Sequence, residues 1–547
     1  MRIALAQLSY HIGDFESNIS RIKTAILKAK SLPADVVVFA ELAVCGYPPR
    51  DFLEFDDFIQ KSRDAIDSIA SECHGIAAII GAPSVNSSKK GKPLYNTAWF
   101  LADGKILAQS HKTLLPNYDV FDEYRYFEPN RLPFEVIEYK KYRFALTICE
   151  DLWNITDDPL YVVNPMDELA KLKPDLIINI AASPFHYDQP AIRKEVLVRN
   201  AQKYKLPVFY VNHVGGQTEL LFDGGSMVID PEGNVLDELN YFDEDFRVYN
   251  LNDFLYKKQA FEKIAPALKI SLIHDALVMG IRDYFGKMGF KKAILGLSGG
   301  IDSAVTLVLA AKALGCENVK AILLPSRYSS EHSISDAVEL AENLNLSHEI
   351  ISIDAAFQSF EKTLEPSFKG LPFNLSEENI QARVRAVILM ALSNKFGYIL
   401  LNTSNKSEAA VGYGTLYGDM CGGISVLGDV YKTQVYELAA FINQKKEIIP
   451  KSTINKPPSA ELRPDQKDSD SLPDYDILDK ILYEYIEHCK GPVDLIKEGF
   501  GEELVKKVLK LVNTNEYKRH QAPPILRVSP KAFGMGRRMP IAAKYLS

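Results

Sequence analysis

The chain has 547 residues, 47% hydrophobic and 24% charged, a balance that suits a globular protein of two or more domains. Its formal net charge of −8 excludes broad non-specific affinity for nucleic acid. No uncharged apolar run reaches the roughly 18 residues of a membrane span, the start MRIALAQLSY reads as a strand rather than a signal peptide, and the six scattered cysteines show no metal or disulfide spacing, so a cytoplasmic protein is expected.

In chain order, RIALAQL predicts a strand, Asn18–Lys30 an amphipathic helix and DVVVFAE a second strand. A helix over Phe58–Cys73 and the strand IAAIIGAP follow. NTAWFLADGKILAQ then reads as two alternating strands around Asp103-Gly104, a hairpin signal. A second round runs through RFALTICE, a helix near Asp167–Lys171, DLIINIAAS, a helix over Ile192–Tyr204 and LPVFYVN. It closes on the hairpin SMVIDPEGNVLDE. Two strand–helix rounds, each with a hairpin, predict a duplicated pair of sheets with outer helices. Residues 251–265 carry mixed charge and read as a linker between domains at 1–250 and 266–547.

Beyond the linker, strands KKAILGL, VKAILLP, HEIISID and YILLN alternate with helices, including Ser333–Leu344 and a long one over Glu377–Lys395. That rhythm predicts a doubly wound parallel sheet with its ligand site at the carboxyl ends of the strands. The polar, proline-rich stretch 451–473 reads as a loop with the composition of a lid. The basic RVSPKAFGMGRRMP reads as a surface or interface segment.

Three reactive side chains of the first half sit at matching strand ends: Glu41 after DVVVFA, Lys112 after ILAQSH and Cys149 after RFALTI. An acid, an amine and a thiol brought together support nucleophilic amide chemistry. The acid would take the thiol proton, the sulfur attack the carbonyl and the ammonium hold the oxyanion, with the backbone N–H of Glu150 as a second donor. Cys45 reads as packing, and His111, adjoining Lys112, points to the opposite face.

The strings FAELAVCGYPP, HKTLLPNYDVFDE and LTICEDLW resemble the Glu-Lys-Cys motifs of the nitrilase superfamily over roughly residues 1–250. The resemblance implies a four-layer α-β-β-α sandwich that hydrolyses glutamine. Glu41 would be the base, Lys112 the catalytic lysine and Cys149 the nucleophile. Glu123 would be a second acid supporting the lysine, and Tyr118, Ser183 and position 189 would be glutamine contacts. The family usually has a basic residue at that last position. Here it is Gln189, and Arg193 is the candidate replacement.

The second half opens its chemistry with LGLSGGIDS between an apolar strand and an apolar helix. Glycines at such a turn let backbone N–H groups approach an anion, Ser298 and Ser303 add hydroxyls, and Asp302 stands where it would hold a cation against phosphate oxygens. The Gly-Lys-Ser/Thr ending of a P-loop is missing. The string resembles instead the pyrophosphate loop of the N-type ATP pyrophosphatases, which cleave ATP between its α- and β-phosphates. With ENIQAR, TSNKSE, GYGTLYGDMCGG and GDVYKT it resembles the NAD synthetases over nearly all of residues 265–530, implying a Rossmann-like ATP pyrophosphatase domain.

That resemblance implies an ATP site at Gly296, Leu297, Ser298, Gly299, Gly300, Ile301, Asp302 and Ser303, with Thr403, Lys432 and Ser459. It implies Mg²⁺ on Asp302 and Glu408, and deamido-NAD contacts at Asn379, Glu408, Asp419 and Lys518. The order of the two halves resembles the glutamine-dependent NAD synthetases. It implies glutamine, ATP and deamido-NAD as small-molecule substrates, no nucleic-acid or membrane partner and a homo-oligomer. Because free ammonia is mostly ammonium at neutral pH and would be lost to solvent, a sealed passage between the sites is expected. A GMP-synthetase-type amidotransferase, or a non-catalytic first half on an ammonia-dependent synthetase, are the alternatives.

Overall fold

In the computed structural model, which describes residues 1–88, 90–256 and 268–545, the chain divides into units Met1–Pro266 and Ala267–Ser547. The first unit carries strands β1 (Arg2–Gln7), β2 (Val36–Val38), β3 (Ala77–Val85), β4 (Leu94–Ala102) and β5 (Lys105–His111) in its first round. Its second round carries β6 (Ile137–Tyr139), β7 (Tyr142–Ile148), β8 (Leu176–Ala181) and β9 (Val208–Asn212). The ribbon β10 (Val214–Gln217) and β11 (Leu220–Asp223), the hairpin β12 (Met227–Ile229) and β13 (Val235–Glu238), and β14 (Asp245–Asn250) complete it. They form two six-stranded sheets, ordered β14-β1-β2-β3-β4-β5 and β13-β12-β9-β8-β7-β6.

The sheets share one core, in which Ile3, Val37, Ile79 and Phe100 of one join Phe144, Ile178 and Phe209 of the other. Helices Phe15–Ser31 and Asp56–Ala70 cover the first sheet, and Pro165–Lys171 and Gln189–Tyr204 the second. This is the four-layer α-β-β-α sandwich. Every residue of β4 is buried because both faces of its sheet are covered, whereas the edge strand β5 alternates. Asp103 (φ 53°) and Gly104 (φ 74°) make the β4–β5 turn, both left-handed as a two-residue hairpin requires. The helix expected from Ile192 starts a turn earlier, at Gln189, with Pro190 in its first turn.

Two differences from the sequence reading shape the site. The strand expected to reach Glu41 ends at Val38, and the one expected to reach Cys149 ends at Ile148. Glu41 therefore sits in a turn, and Cys149 opens the short 3-10 helix Cys149–Leu152. A Cβ on Gly81 of β3 would lie 2.1 Å from the Leu42 nitrogen, so only glycine lets the Glu41–Leu42 turn close over the sheet.

The second unit holds a parallel sheet of β15 (Lys292–Gly296), β16 (Val319–Leu323), β17 (His348–Ile350), β18 (Tyr398–Asn402) and β19 (Ile424–Ser425), ordered β17-β16-β15-β18-β19. The chain winds outward from β15 through β16 to β17, then crosses to β18. The crevice between β15 and β18 is thus the topological switch point. A helical layer of Tyr475–Ile486, Pro492–Lys497 and Glu502–Thr514 has its own apolar core. The linker region begins as a helix, Leu251–Tyr256; its remainder lies outside the described residues.

The basic tail segment is only partly at the surface: Gly534, Arg538 and Pro540 are exposed, but Val528 and Ser529 are fully buried, and Phe533 and Arg537 nearly so. Asp429 explains this, because its carboxylate accepts the N–H groups of Val528 (2.8 Å) and Ser529 (2.7 Å) and the Ser529 hydroxyl (2.7 Å). Lys406 neutralises Asp429 at 2.9 Å and also pairs with Glu487; burial alone would lower its pKa, but the two carboxylates raise it. We expect Lys406→Met to leave two buried carboxylates uncompensated and destabilise the chain by about 3–5 kcal/mol. Urea unfolding would check this, and a loss below about 1 kcal/mol would contradict the role given to the network.

Candidate active sites

In the first unit, Lys112 has no solvent exposure. A buried ammonium needs counter-charge, and two carboxylates supply it. Its Nζ donates to Glu41 Oε1 (2.7 Å) and to Glu123 Oε1 and Oε2 (2.8 and 2.9 Å). Burial would lower the lysine pKa, but Glu123 and Glu41 outweigh it and hold the pKa well above its ordinary value. Three donors that the motifs did not single out complete the cluster. Asn96 of β4 donates to Glu41 Oε1 (2.6 Å), the Ala182 N–H to Glu41 Oε2 (2.9 Å), and the Tyr47 hydroxyl to Glu123 Oε1 (2.8 Å). Glu41 is thus a rigid acceptor aimed by three elements.

Cys149 has φ 42°, a left-handed conformation rare for a residue with a side chain and characteristic of functional turns. Burial and then the Glu41 charge push its thiol well above the ordinary range, so the sulfur is protonated at neutral pH. Asp151 ties the nucleophile's turn to the lysine's: its carboxylate accepts the N–H groups of Ile148 (3.0 Å), Thr113 and Leu114 (2.9 Å each). His111 packs flat on Tyr95, and burial lowers its pKa to about 4, so it stays neutral on the opposite face.

The expected glutamine contacts cluster in two places. Gln189 Nε2 donates to Ser183 Oγ (3.0 Å). Tyr118 donates to Glu150 Oε1 (2.9 Å), as does Tyr161 (3.1 Å). Glu150 is buried, and among the described residues no cationic side chain lies within 4 Å of it. Arg193 does not replace the missing basic residue, because its guanidinium is fully buried in a two-pronged pair with Asp223 (2.9 and 2.7 Å).

In the second unit, a cavity of about 300 Å³ opens at the strand ends. The turn after β15 lines it with Gly296, Leu297, Ser298, Gly300, Ile301, Asp302 and Ser303. Gly299 (φ 78°) forms the bend, and a Cβ there would meet the Ser333 carbonyl at 2.3 Å. Thr403, Glu408, Asp419, Lys432 and Ser459 also line the cavity. Lys432 pairs with Asp302 and lies 3.7 Å from Glu408, and Asn405 donates to Asp302 (2.8 Å).

Asn379, from the helix Leu375–Phe396, and Lys518, from Glu516–Arg519, do not line the cavity but bond to the loop that carries Asp419. Thr415 donates its hydroxyl to Asn379 and its N–H to Asp419 (2.7 and 2.6 Å), while Lys518 donates to the Gly412 and Gly414 carbonyls (2.8 and 2.9 Å). The 451–473 stretch is fastened over the cavity, with Glu461 accepting from Ser330 (2.9 Å), Ser333 (2.8 Å) and Lys456 (2.7 Å).

Family models described as carbon-nitrogen hydrolase and NAD synthase match residues 2–253 and 273–522. The glutamine-dependent NAD(+) synthetase of Synechocystis sp. is 44% identical over 99% of this chain and 99% of its own. The chain belongs to the glutamine-dependent NAD(+) synthetase family. Its relative from Thermotoga maritima is 40% identical over 100% of this chain and 99% of its own. The solved structure of the glutamine-dependent NAD+ synthetase from Acinetobacter baumannii in complex with adenosine diphosphate matches with TM-score 0.78 at 40% identity. It covers 99% of this chain and 98% of that one.

Within this NAD(+) synthetase fold, the carboxylates Asp302 and Glu408 share one ammonium, that of Lys432. Burial and then the Asp302 charge push the Glu408 carboxyl up to about 8. Oxygen donors in excess of local positive charge suit Mg²⁺, which is commonly held by one or two carboxylates plus substrate phosphates. Among the described residues no group of three or more His, Cys, Asp or Glu could hold an ion unaided.

Sequence reasoning missed Asn96, Tyr47, Asp151 and Tyr161. The third residue of the string CEDL was the one available signal, for Asp151. We expect alkylation of Cys149 by iodoacetamide to accelerate with pH throughout the range up to about 9, since a raised pKa keeps the thiolate fraction small and growing. Peptide mass spectrometry would follow it, and a rate already at plateau by neutral pH would contradict the raised thiol.

Proposed function

We propose that the Glu41–Lys112–Cys149 site releases ammonia from glutamine and that the cavity of the second unit spends it on the ATP-dependent amidation of deamido-NAD to NAD. One observation carries this reading. A buried acid–amine–thiol cluster and a glycine-turn phosphate cavity occur on one chain, in the order of the family to which the chain belongs.

At the first site the protonated sulfur is a weak nucleophile until its proton leaves. Glu41 takes that proton as Cys149 attacks the amide carbon, and the Lys112 ammonium with the Glu150 N–H stabilises the oxyanion. Glu41 returns the proton to the departing nitrogen, giving ammonia and a thioester, which water hydrolyses to glutamate. Glutamine brings an α-ammonium and an α-carboxylate. The Glu150 carboxylate suits the first: burial raises its pKa, the Lys112 charge and the Tyr118 and Tyr161 hydroxyls oppose that rise, and among the described residues no cationic side chain lies within 4 Å of it. The Ser183 hydroxyl with the Gln189 amide suits the second.

At the second site the nicotinate carboxylate of deamido-NAD attacks the α-phosphorus of ATP, and pyrophosphate leaves. Ammonia then displaces AMP from the mixed anhydride to give the carboxamide. The N–H groups and hydroxyls of 298–303 and the Lys432 ammonium would receive the phosphates. Asp302 and Glu408 would hold Mg²⁺, which supplies charge neutralisation at the departing pyrophosphate when bound. Asn379, Asp419 and Lys518 would receive the dinucleotide, and Thr403 and Ser459 the ATP.

We expect Cys149→Ala to abolish glutamine-supported NAD synthesis while leaving ammonium-supported synthesis within about twofold, read as AMP and NAD formed. Loss of both would contradict the division of labour. We further expect Glu150→Gln to raise the KM for glutamine about tenfold or more, the scale of a lost charge-assisted hydrogen bond. Hydrolysis of glutaramate, which lacks the α-amino group, would change little; equal losses for the two amides would exclude the ammonium contact.

A further inference from the structure

Three cationic side chains line the nucleotide cavity: Lys432, Lys456 and Arg385. Two are already spent. Lys432 pairs with Asp302, and Lys456 with Glu461 (2.7 Å). Arg385 is different. Its Nε donates to the carbonyl of Leu324, just past the end of β16 (3.0 Å), and among the described residues no carboxylate lies within 4 Å of its guanidinium. Asp419 and Glu461 act on it only at longer range. Burial draws its pKa down to about 10, the cost of a guanidinium held without a carboxylate beside it.

The side chain is aimed as well as unpaired. It projects from helix Leu375–Phe396 on the face that presents Ala382, Ala386 and Leu389 to the same cavity. The Leu324 carbonyl takes the inner nitrogen, which leaves the two terminal nitrogens as a fork. Arg383, two positions earlier, is exposed and donates instead to the Leu416 carbonyl (3.2 Å).

We propose that Arg385 is a substrate-binding residue whose free fork receives an oxyanion, a phosphate oxygen of ATP or of the acid dinucleotide, within the nucleotide cavity. The inference rests on the synthetase reaction proposed above and adds a contact to it. A guanidinium pairs two oxygens of one phosphate in a planar geometry that an ammonium does not reproduce. The substrate anion would supply the counter-charge that the fold withholds.

The test uses the full-length chain with Arg385→Met and Arg385→Lys. Calorimetry measures the Kd of ATP and of deamido-NAD separately, and ammonium-supported synthesis gives the KM of each. We expect Arg385→Met to raise Kd and KM about tenfold or more for the substrate that uses the fork, or for both, at an unchanged thermal unfolding midpoint. Arg385→Lys should recover only part of that loss. The substrate affected identifies the source of the oxyanion.

Kd values within threefold of the parent for both substrates would overturn the proposal, as would a loss for both that tracks a lowered unfolding midpoint. Should the Met variant not fold, Arg385→Gln, which retains a donor, carries the same test. Failure of the parent chain to form AMP and NAD would instead sink the synthetase reading and leave the binding measurement standing by itself.

Discussion

The first unit depends on one buried ammonium. Lys112 is out of contact with water, and the energetic cost of that position is tolerable only because Glu41 and Glu123 both bond to it. Removing either acid would leave the other and the lysine to share a site built for three charges. The cluster carries one net negative charge, and Asn96, Tyr47 and the Ala182 N–H spread it by hydrogen bonding. The same arrangement that makes the lysine tolerable makes Glu41 a proton acceptor held in place beside a protonated thiol. Stability and chemistry here share the same bonds.

The second unit applies the same rule with a different outcome. Lys406 is balanced by Asp429 and Glu487 and uses that balance to anchor the tail segment, a structural end. Lys432 likewise faces two carboxylates, Asp302 and Glu408, but this trio lines the nucleotide cavity, where a metal and phosphates would meet. Position, not charge count, separates the two trios: one lies beneath the tail segment and the other lines the cavity. Glu150 and Arg385 differ from both trios, since among the described residues no oppositely charged side chain lies within 4 Å of either.

Both sites occupy the carboxyl edges of strands, for different reasons. In the sandwich, the reactive residues lie just past β2 and β7, and Lys112 directly follows β5. Asp151 and Gly81 draw those segments together, one by accepting three N–H groups and the other by having no side chain. In the parallel sheet, the reversal of strand order between β15 and β18 opens the crevice, and the glycine turn after β15 brings backbone N–H groups to its floor.

Local chemistry was legible in the residue string. Apolar periodicity gave β1, the β4–β5 hairpin and the parallel strands to within a few residues, because burial on one or both faces writes itself into neighbouring positions. Glu41, Lys112, Cys149 and the 296–303 turn were legible because their spacing in extended strings is itself the signal. The left-handed backbone at Cys149, the donors Asn96 and Tyr47, the capture of Arg193 by Asp223 and the partial burial of the 525–537 segment were decided by tertiary structure alone. Each depends on which distant charge or backbone group stands opposite, and a residue's own neighbours in the chain carry no record of that partner. Arg383 and Arg385 make the point most simply: two arginines of one helix, two positions apart, are one exposed and one aimed into the cavity, and only the packing of the helix against β15 and β18 tells them apart.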